Sequence, residues 1–225
     1  MSEEKPAKSK GQHSAIDNRW LTPTDIVDLA HRLLGTIDLD PASEPEANEL
    51  IKASRIITAE EDGLISYWGD ASRIFLNPPG GTLDKAKYPK LHRKYFCTSL
   101  PQAFFKVAVD HLWYHKKLND KHGTVLPGTL FFVGFSLEQL ATLSRDEDCR
   151  AFIESSSVFV PPDRIRFKLS KEVLDSLSEE DRKKKKTASP SHSNFILVWS
   201  NERQVLDELK KFCDETNWLK LQGVL

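Results

Sequence analysis

Two rhythms of apolar positions alternate along the chain. Ile26, Leu29, Ala30, Leu33 and Leu34 recur at helical spacing and stop at Gly35. Phe104, Val107, Ala108, His111 and Leu112 repeat that spacing, with Trp113 and Tyr114 near the end, and Val205, Leu206, Leu209 and Phe212 do so in a closing helix from about 202 to 216. Between these stretches lie short apolar runs without a helical period, at residues 37–40, 55–58, 74–76, 130–135, 158–160 and 194–199. Such runs predict buried strands. Thr22-Pro23-Thr24-Asp25 predicts a helix start with Thr22 as cap, and Ser43-Glu44-Pro45-Glu46 and Ser136-Leu137-Glu138-Gln139 predict two more. Strand and helix alternate up to a final hairpin, which predicts a Rossmann-like three-layer α/β sandwich, its sheet mostly parallel with a C-terminal antiparallel hairpin.

The run Ile74-Phe75-Leu76 ends at Asn77-Pro78-Pro79-Gly80-Gly81. A buried strand running into two prolines makes a rigid turn at the rim of a sheet, where open α/β sheets place ligands. The prolines lack backbone donors and fix two φ angles, so the neighbouring carbonyls point in set directions. A fixed carbonyl beside an Asn amide oxygen is a double acceptor suited to an amino group. At residues 37–40 another short strand delivers Asp40 to the mouth of a helix. No G-x-G-x-x-G follows it, which argues against a nicotinamide or flavin dinucleotide, and a positively charged ligand suits the acids better.

Composition narrows this picture. A length of 225 residues suits one core with appendages, and the formal net charge of -1 leaves any nucleic-acid affinity to local patches. Cys97, Cys149 and Cys213 lack metal or disulfide spacing, and His111 and His115 have no adjoining acid, so neither a metal nor a disulfide framework is expected. No apolar run is long enough for a membrane span and the N-terminus lacks a signal-peptide core. A cytoplasmic protein of a bacterial or phage-infected cell is expected, or a nuclear one in a eukaryotic host, where the lysine run at 183–186 would read as a localisation patch.

Taken in order, Trp20-x-Thr22-Pro23, Asp38-Leu39-Asp40-Pro41-Ala42-Ser43, Asn48, Asp62-Gly63-Leu64, Trp68 and Asn77-Pro78-Pro79 form a series over about sixty residues. This series resembles the phage-type DNA N6-adenine methyltransferase family, closely over residues 19–80 and loosely over 129–200. The resemblance implies methyl transfer from S-adenosylmethionine to the exocyclic nitrogen of adenine in DNA, without a metal. It casts Asn77, Pro78 and Pro79 as catalytic residues. Thr22, Pro23, Asp40, Pro41, Ala42 and Asp62 become cofactor contacts, with Asp40 facing the methionine amino group and Asp62 near the adenosine. Read from the residues alone, Thr22 is also a helix cap, Asp40 a helix-start charge and Asp62 a turn residue. One position departs from the family: an aromatic that stacks on the flipped base is replaced by Gly80. Stacking on a ring is worth roughly 1–3 kcal/mol per base, about ten- to hundredfold in binding. Tyr88, Tyr95 and Phe96 are the nearest replacements.

Residues 1–17 hold almost nothing apolar and read as a flexible tail, leaving residues 18–225 as the methyltransferase domain. Residues 82–101 form a long basic insertion, in which Lys90, Arg93, Lys94 and Tyr95 are candidates for holding nucleic acid. Arg164 and Arg166 alternate on an expected strand and face either phosphates or sheet-edge acids. A Lys-rich insertion at 170–193 contains Lys184 in a like-charge run, which is either solvated or a phosphate grip. Two other functions remain beside the favoured one: a methyltransferase-like module that binds without turnover, and methylation of a protein glutamine.

Overall fold

The computed structural model describes residues 20–95, 97–122, 127–180 and 193–222. The expected N-terminal tail, Phe96 and the lysine run containing Lys184 lie outside these residues. Strands β1 (Trp20–Leu21), β2 (Leu39–Asp40), β3 (Arg55–Ile56), β4 (Arg73–Leu76), β5 (Thr129–Gly134), β6 (Ser157–Val160), β7 (Lys168–Leu169), β8 (Phe195–Ser200) and β9 (Leu219–Gln222) alternate with helices. These are α1 (Thr24–Leu34), α2 (Pro45–Ile51), α3 (Pro89–Tyr95), α4 (Leu100–His122), α5 (Leu137–Leu143), α6 (Glu147–Glu154), α7 (Lys171–Ser176) and α8 (Arg203–Glu215).

Seven strands form one sheet in the order β3-β2-β4-β5-β8-β6-β9, and β1 pairs with β7 in a two-stranded ribbon. β3, β2, β4 and β5 pair in parallel; β5-β8, β8-β6 and β6-β9 pair antiparallel. The sheet is therefore mixed, with β8 inserted between β5 and β6 as an interior antiparallel strand. Local pattern shows that β8 is buried, not which neighbour it chooses.

The two faces of the sheet carry two cores. Leu76, Leu130, Phe132 and Trp199 pack against Phe105, Ala108 and Leu112 of α4 and Phe152 of α6. Phe75, Phe131, Phe159 and Ile196 pack against Ile26, Ala30 and Leu33 of α1 and Leu209 and Phe212 of α8. Alternating side chains of β4 and β5 thus serve opposite layers, as a sheet buried on both faces requires. The result is a three-layer α/β sandwich. Among the described residues, no helix is long and apolar enough to cross a membrane.

From β2 the chain winds outward to β3, then returns across β2 to β4 and continues to β5 on the other side. The winding direction reverses between β2 and β4, the position at whose carboxyl edge open α/β sheets form their ligand crevice. Asp40 ends β2 and Asn77 follows β4.

Candidate active site

Both helices that open onto this crevice begin one residue later than their capping boxes predict. α1 starts at Thr24 with Pro23 in the cap position, and α2 starts at Pro45 with Glu44 there; neither cap makes a side-chain hydrogen bond. Thr22 precedes a proline and is held extended by steric clash with its ring. Its hydroxyl is released from capping and instead accepts a 2.9 Å hydrogen bond from Nδ2 of Asn77. This bond crosses from the chain before α1 to the turn after β4 and fixes the Asn77 amide. With Nδ2 engaged by Thr22, Oδ1 is the amide atom left to accept from a ligand.

Asp40 is 2% exposed. Its Oδ1 accepts from the Ala42 backbone N–H at 3.1 Å, and no ion pair reaches it among the described residues. Burial pushes its carboxyl up to about 7, although the Ala42 amide and the Ser43 hydroxyl pull the other way. The Ser43 hydroxyl is close enough to affect that titration, yet its buried oxygen makes no hydrogen bond of good geometry. A buried carboxylate without a basic neighbour, beside an unpartnered hydroxyl, fits a ligand that brings its own ammonium group.

The turn after Asp40 is shaped from below by residues 62–68. Asp62 adopts φ +61°, a left-handed conformation that Asp tolerates better than most residues. Gly63 passes so close to Pro41 that a Cβ there would lie 1.9 Å from the Pro41 carbonyl oxygen. The Gly63 carbonyl accepts from the Trp68 indole N–H at 2.8 Å. Asn48 closes α2 by bonding both backbone groups of Ala53. Pro41, Gly63 and Trp68 of the sequence series thus meet at one turn.

Asp62 is itself fully engaged. Its Oδ1 accepts from Leu64 N–H, and its Oδ2 accepts from the Tyr88 hydroxyl at 2.8 Å and the Lys87 ammonium at 2.9 Å. Tyr88 is 8% exposed with the Lys87 ammonium over its ring and cannot present a free face to a base, contrary to the expectation from sequence. These contacts tie Lys87 and Tyr88 to the Asp62 turn, within residues 82–101, which the sequence reads as a loop insertion but which contain α3 and the start of α4. Gly81 and Leu100 are joined by a 3.0 Å backbone bond and Thr82 pairs with Ser99, so the segment is a lobe that leaves and returns beside the Asn77 turn. Lys90 and Arg93 lie on α3, which Tyr95 ends; Lys94 pairs with Asp110.

Arg164 and Arg166 are exposed on irregular chain, not on a strand. Pro161 and Pro162 precede them, and the chain regains sheet pairing only at β7. There Lys168 pairs opposite Leu21, one residue before Thr22, so the ribbon brings this basic segment to the chain that holds Asn77. No group of His, Cys, Asp and Glu suited to a metal occurs among the described residues.

The chain is similar to the family described as DNA N-6-adenine-methyltransferase (Dam), whose model matches residues 8–120, just over half of its length. No curated protein matches it. A solved structure from Listeria monocytogenes, of a protein proposed to be a class I S-adenosylmethionine-dependent methyltransferase, is similar at 13% identity with a TM-score of 0.45. That likeness covers 84% of this chain and 63% of the other, so this chain spans less than two thirds of that protein. By the extent of the family match, the chain belongs to the DNA N-6-adenine-methyltransferase (Dam) family.

Proposed function

We propose that the protein methylates the exocyclic N6 of adenine in DNA, using S-adenosylmethionine. The observation that carries this reading is the placement of Asp40 and a Thr22-held Asn77 on either side of one switch point. Family membership supports the same activity.

Asp40, the Ala42 turn and Ser43 hold the amino-acid end of the cofactor, with Pro41 setting the turn. Burial raises the energy of a lone Asp40 carboxylate, so an ammonium partner relieves a real cost. When bound, S-adenosylmethionine supplies a methyl group on its sulfonium. Asp62 acts on the adenosine side by holding the floor of the pocket through Leu64, Tyr88 and Lys87. Thr22 belongs to the catalytic half, since it orients Asn77, and Pro23 fixes the chain that carries it.

Asn77 Oδ1 and the Pro78 carbonyl accept the two amine hydrogens of the target. Accepting both draws the nitrogen lone pair out of conjugation with the ring and aims it, which is catalysis by position and by stabilising developing positive charge. Pro79 lacks an N–H and keeps the turn rigid. A paired adenine cannot reach this turn, so the base flips out of the duplex. Lys90, Arg93 and Lys94 of the lobe, with Arg164 and Arg166, face the phosphates, and the sequence adds Tyr95 and Lys184 as further nucleic-acid contacts.

A second reading, binding without turnover, is favoured by Gly80, where the family has a ring. A Cβ at Gly80 would meet nothing within 4 Å, so the gap is open. Incubation with methyl-labelled S-adenosylmethionine and unmethylated DNA should place label on adenine N6 by nucleoside analysis. Label on protein alone, or none with cofactor binding intact, would overturn the proposal.

A further inference from the structure

We infer that Phe135 supplies the aromatic face for the target base that Gly80 does not; this rests on the proposed reading of the Asn77 turn as the site of the transferred methyl. The sequence places Phe135 last in a buried run, yet its side chain is on the surface, at 48% exposure. Position gives that exposure its meaning. Leu76 ends β4 and pairs in parallel with Phe132 of β5, so Asn77 leaves its strand level with Val133, and Phe135 is the first residue past the end of β5 at Gly134. Strand spacing and rise put the Cα atoms of Asn77 and Phe135 about 8 Å apart, within reach of a base lying over the turn.

Parity points the same way. Phe75 on β4 and Phe131 and Val133 on β5 face the α1 layer, and Asn77 and Phe135 continue those two series. The ring therefore belongs to the layer from which Thr22 reaches Asn77.

The backbone of Phe135 is held from both sides by buried amides. Its N–H donates to Gln139 Oε1 at 3.0 Å, and its carbonyl accepts from Asn194 Nδ2 at 3.3 Å. Gln139 is 8% exposed and Asn194 2%. Each keeps one buried group without a partner, a donor at Gln139 Nε2 and an acceptor at Asn194 Oδ1. Buried polar groups are seldom left so, and clustering beside a surface ring marks this rim as ligand-facing. With the Phe135 backbone already held by two side chains, stacking of a base costs only the freedom of the ring itself.

The test compares wild type with Phe135→Leu and Phe135→Tyr. Fluorescence anisotropy would measure binding to single-stranded oligo-dA and to an abasic strand of equal length, both with saturating S-adenosylmethionine. Methyl transfer to unmethylated DNA would be followed in parallel, with cofactor affinity as the check on folding. Phe135→Leu keeps apolar bulk without a ring: it should bind oligo-dA about tenfold more weakly, leave the abasic strand and cofactor unchanged, and lower kcat/KM for DNA by a similar factor. Phe135→Tyr should behave as wild type. Equal binding of the two strands by wild type, or unchanged oligo-dA binding and transfer in Phe135→Leu, would overturn the inference. Ring-dependent binding with no N6-methyladenine from wild type would retain the stacking role and reject the proposed reaction; transfer indifferent to residue 135 would do the reverse.

Discussion

Asp38 immediately precedes β2 and Asp40 ends it, and their surroundings are opposite. Oδ2 of Asp38 accepts three hydrogen bonds, from Ser72 N–H at 3.0 Å, Ser72 hydroxyl at 2.9 Å and Arg73 N–H at 2.9 Å. Nearby, the Arg73 guanidinium is paired with Glu202, which also accepts from Thr129. Asp40, at the other edge, has one backbone donor, no basic partner among the described residues, and a carboxyl pushed up to about 7 by burial. The contrast extends across the sheet. Ser43, Gln139 and Asn194, the described residues with buried side-chain atoms lacking partners, all sit at the carboxyl edge of the parallel strands. The amino edge is bonded for stability; the carboxyl edge is left able to receive something.

Asp38→Ala should break the amino edge and give the largest change in stability. Two backbone donors and a hydroxyl lose their acceptor, at a cost of roughly 2–4 kcal/mol. Chemical denaturation would register it, while transfer per folded molecule should hold near wild type. Asp40→Asn should act in the opposite sense. A carboxyl at about 7 in the folded chain and 3.8 unfolded is a penalty that is absent below pH 3.8, grows between 3.8 and 7, and is complete above 7. The cofactor-free variant should therefore gain stability over wild type as pH rises through that window, on the order of 4 kcal/mol at most, and lose cofactor affinity. A difference from wild type that stays flat with pH would refute this account of Asp40.

The same carboxyl should make cofactor binding pH-dependent. An ammonium ligand favours the charged form, so wild-type affinity should fall by up to about tenfold per pH unit below 7. Calorimetry across pH 5.5–8 would show the slope, and Asp40→Asn should flatten it. The smallest effect sharpens the catalytic side. Thr22→Val removes one hydrogen bond to Asn77, worth about 1 kcal/mol, and should lower kcat about fivefold at unchanged cofactor affinity. Thr22→Ser should restore it; a loss of cofactor affinity instead would return Thr22 to the cofactor side.

Helices α1, α2, α4, α5 and α8, strands β2 to β6 and β8, and the two turns were legible in the sequence because each is local: a period, a cap region, an acid or amide beside proline. Helices α3, α6 and α7 and the β1-β7 ribbon were not read, and β9 follows a helix expected to close the chain. What escaped reading depends on distant partners. The Thr22 and Ser43 boxes look like caps, yet Pro23 and Glu44 take that position, the Thr22 hydroxyl accepts from Asn77 and the Ser43 hydroxyl is buried without a hydrogen-bond partner. Gln139 reaches back one residue further than a capping box requires, to Phe135. Tyr88 looks like a surface ring among lysines until Asp62, distant in sequence, claims its hydroxyl. Arg164 and Arg166 alternate like strand residues, but among the described residues strand pairing of that stretch begins only at Lys168. Phe135 carries no signal because an apolar run does not show which member rises past the rim.

The central claim is that Asn77 performs the transfer while Asp40 holds the cofactor. The most direct measurement is single-turnover methyl transfer to adenine in unmethylated DNA by wild type and Asn77→Ala, with calorimetry of S-adenosylmethionine on the same samples. The account predicts that Asn77→Ala loses transfer by at least a hundredfold and binds the cofactor as tightly as wild type. Transfer at the wild-type rate, or a loss explained wholly by weaker cofactor binding, would contradict it.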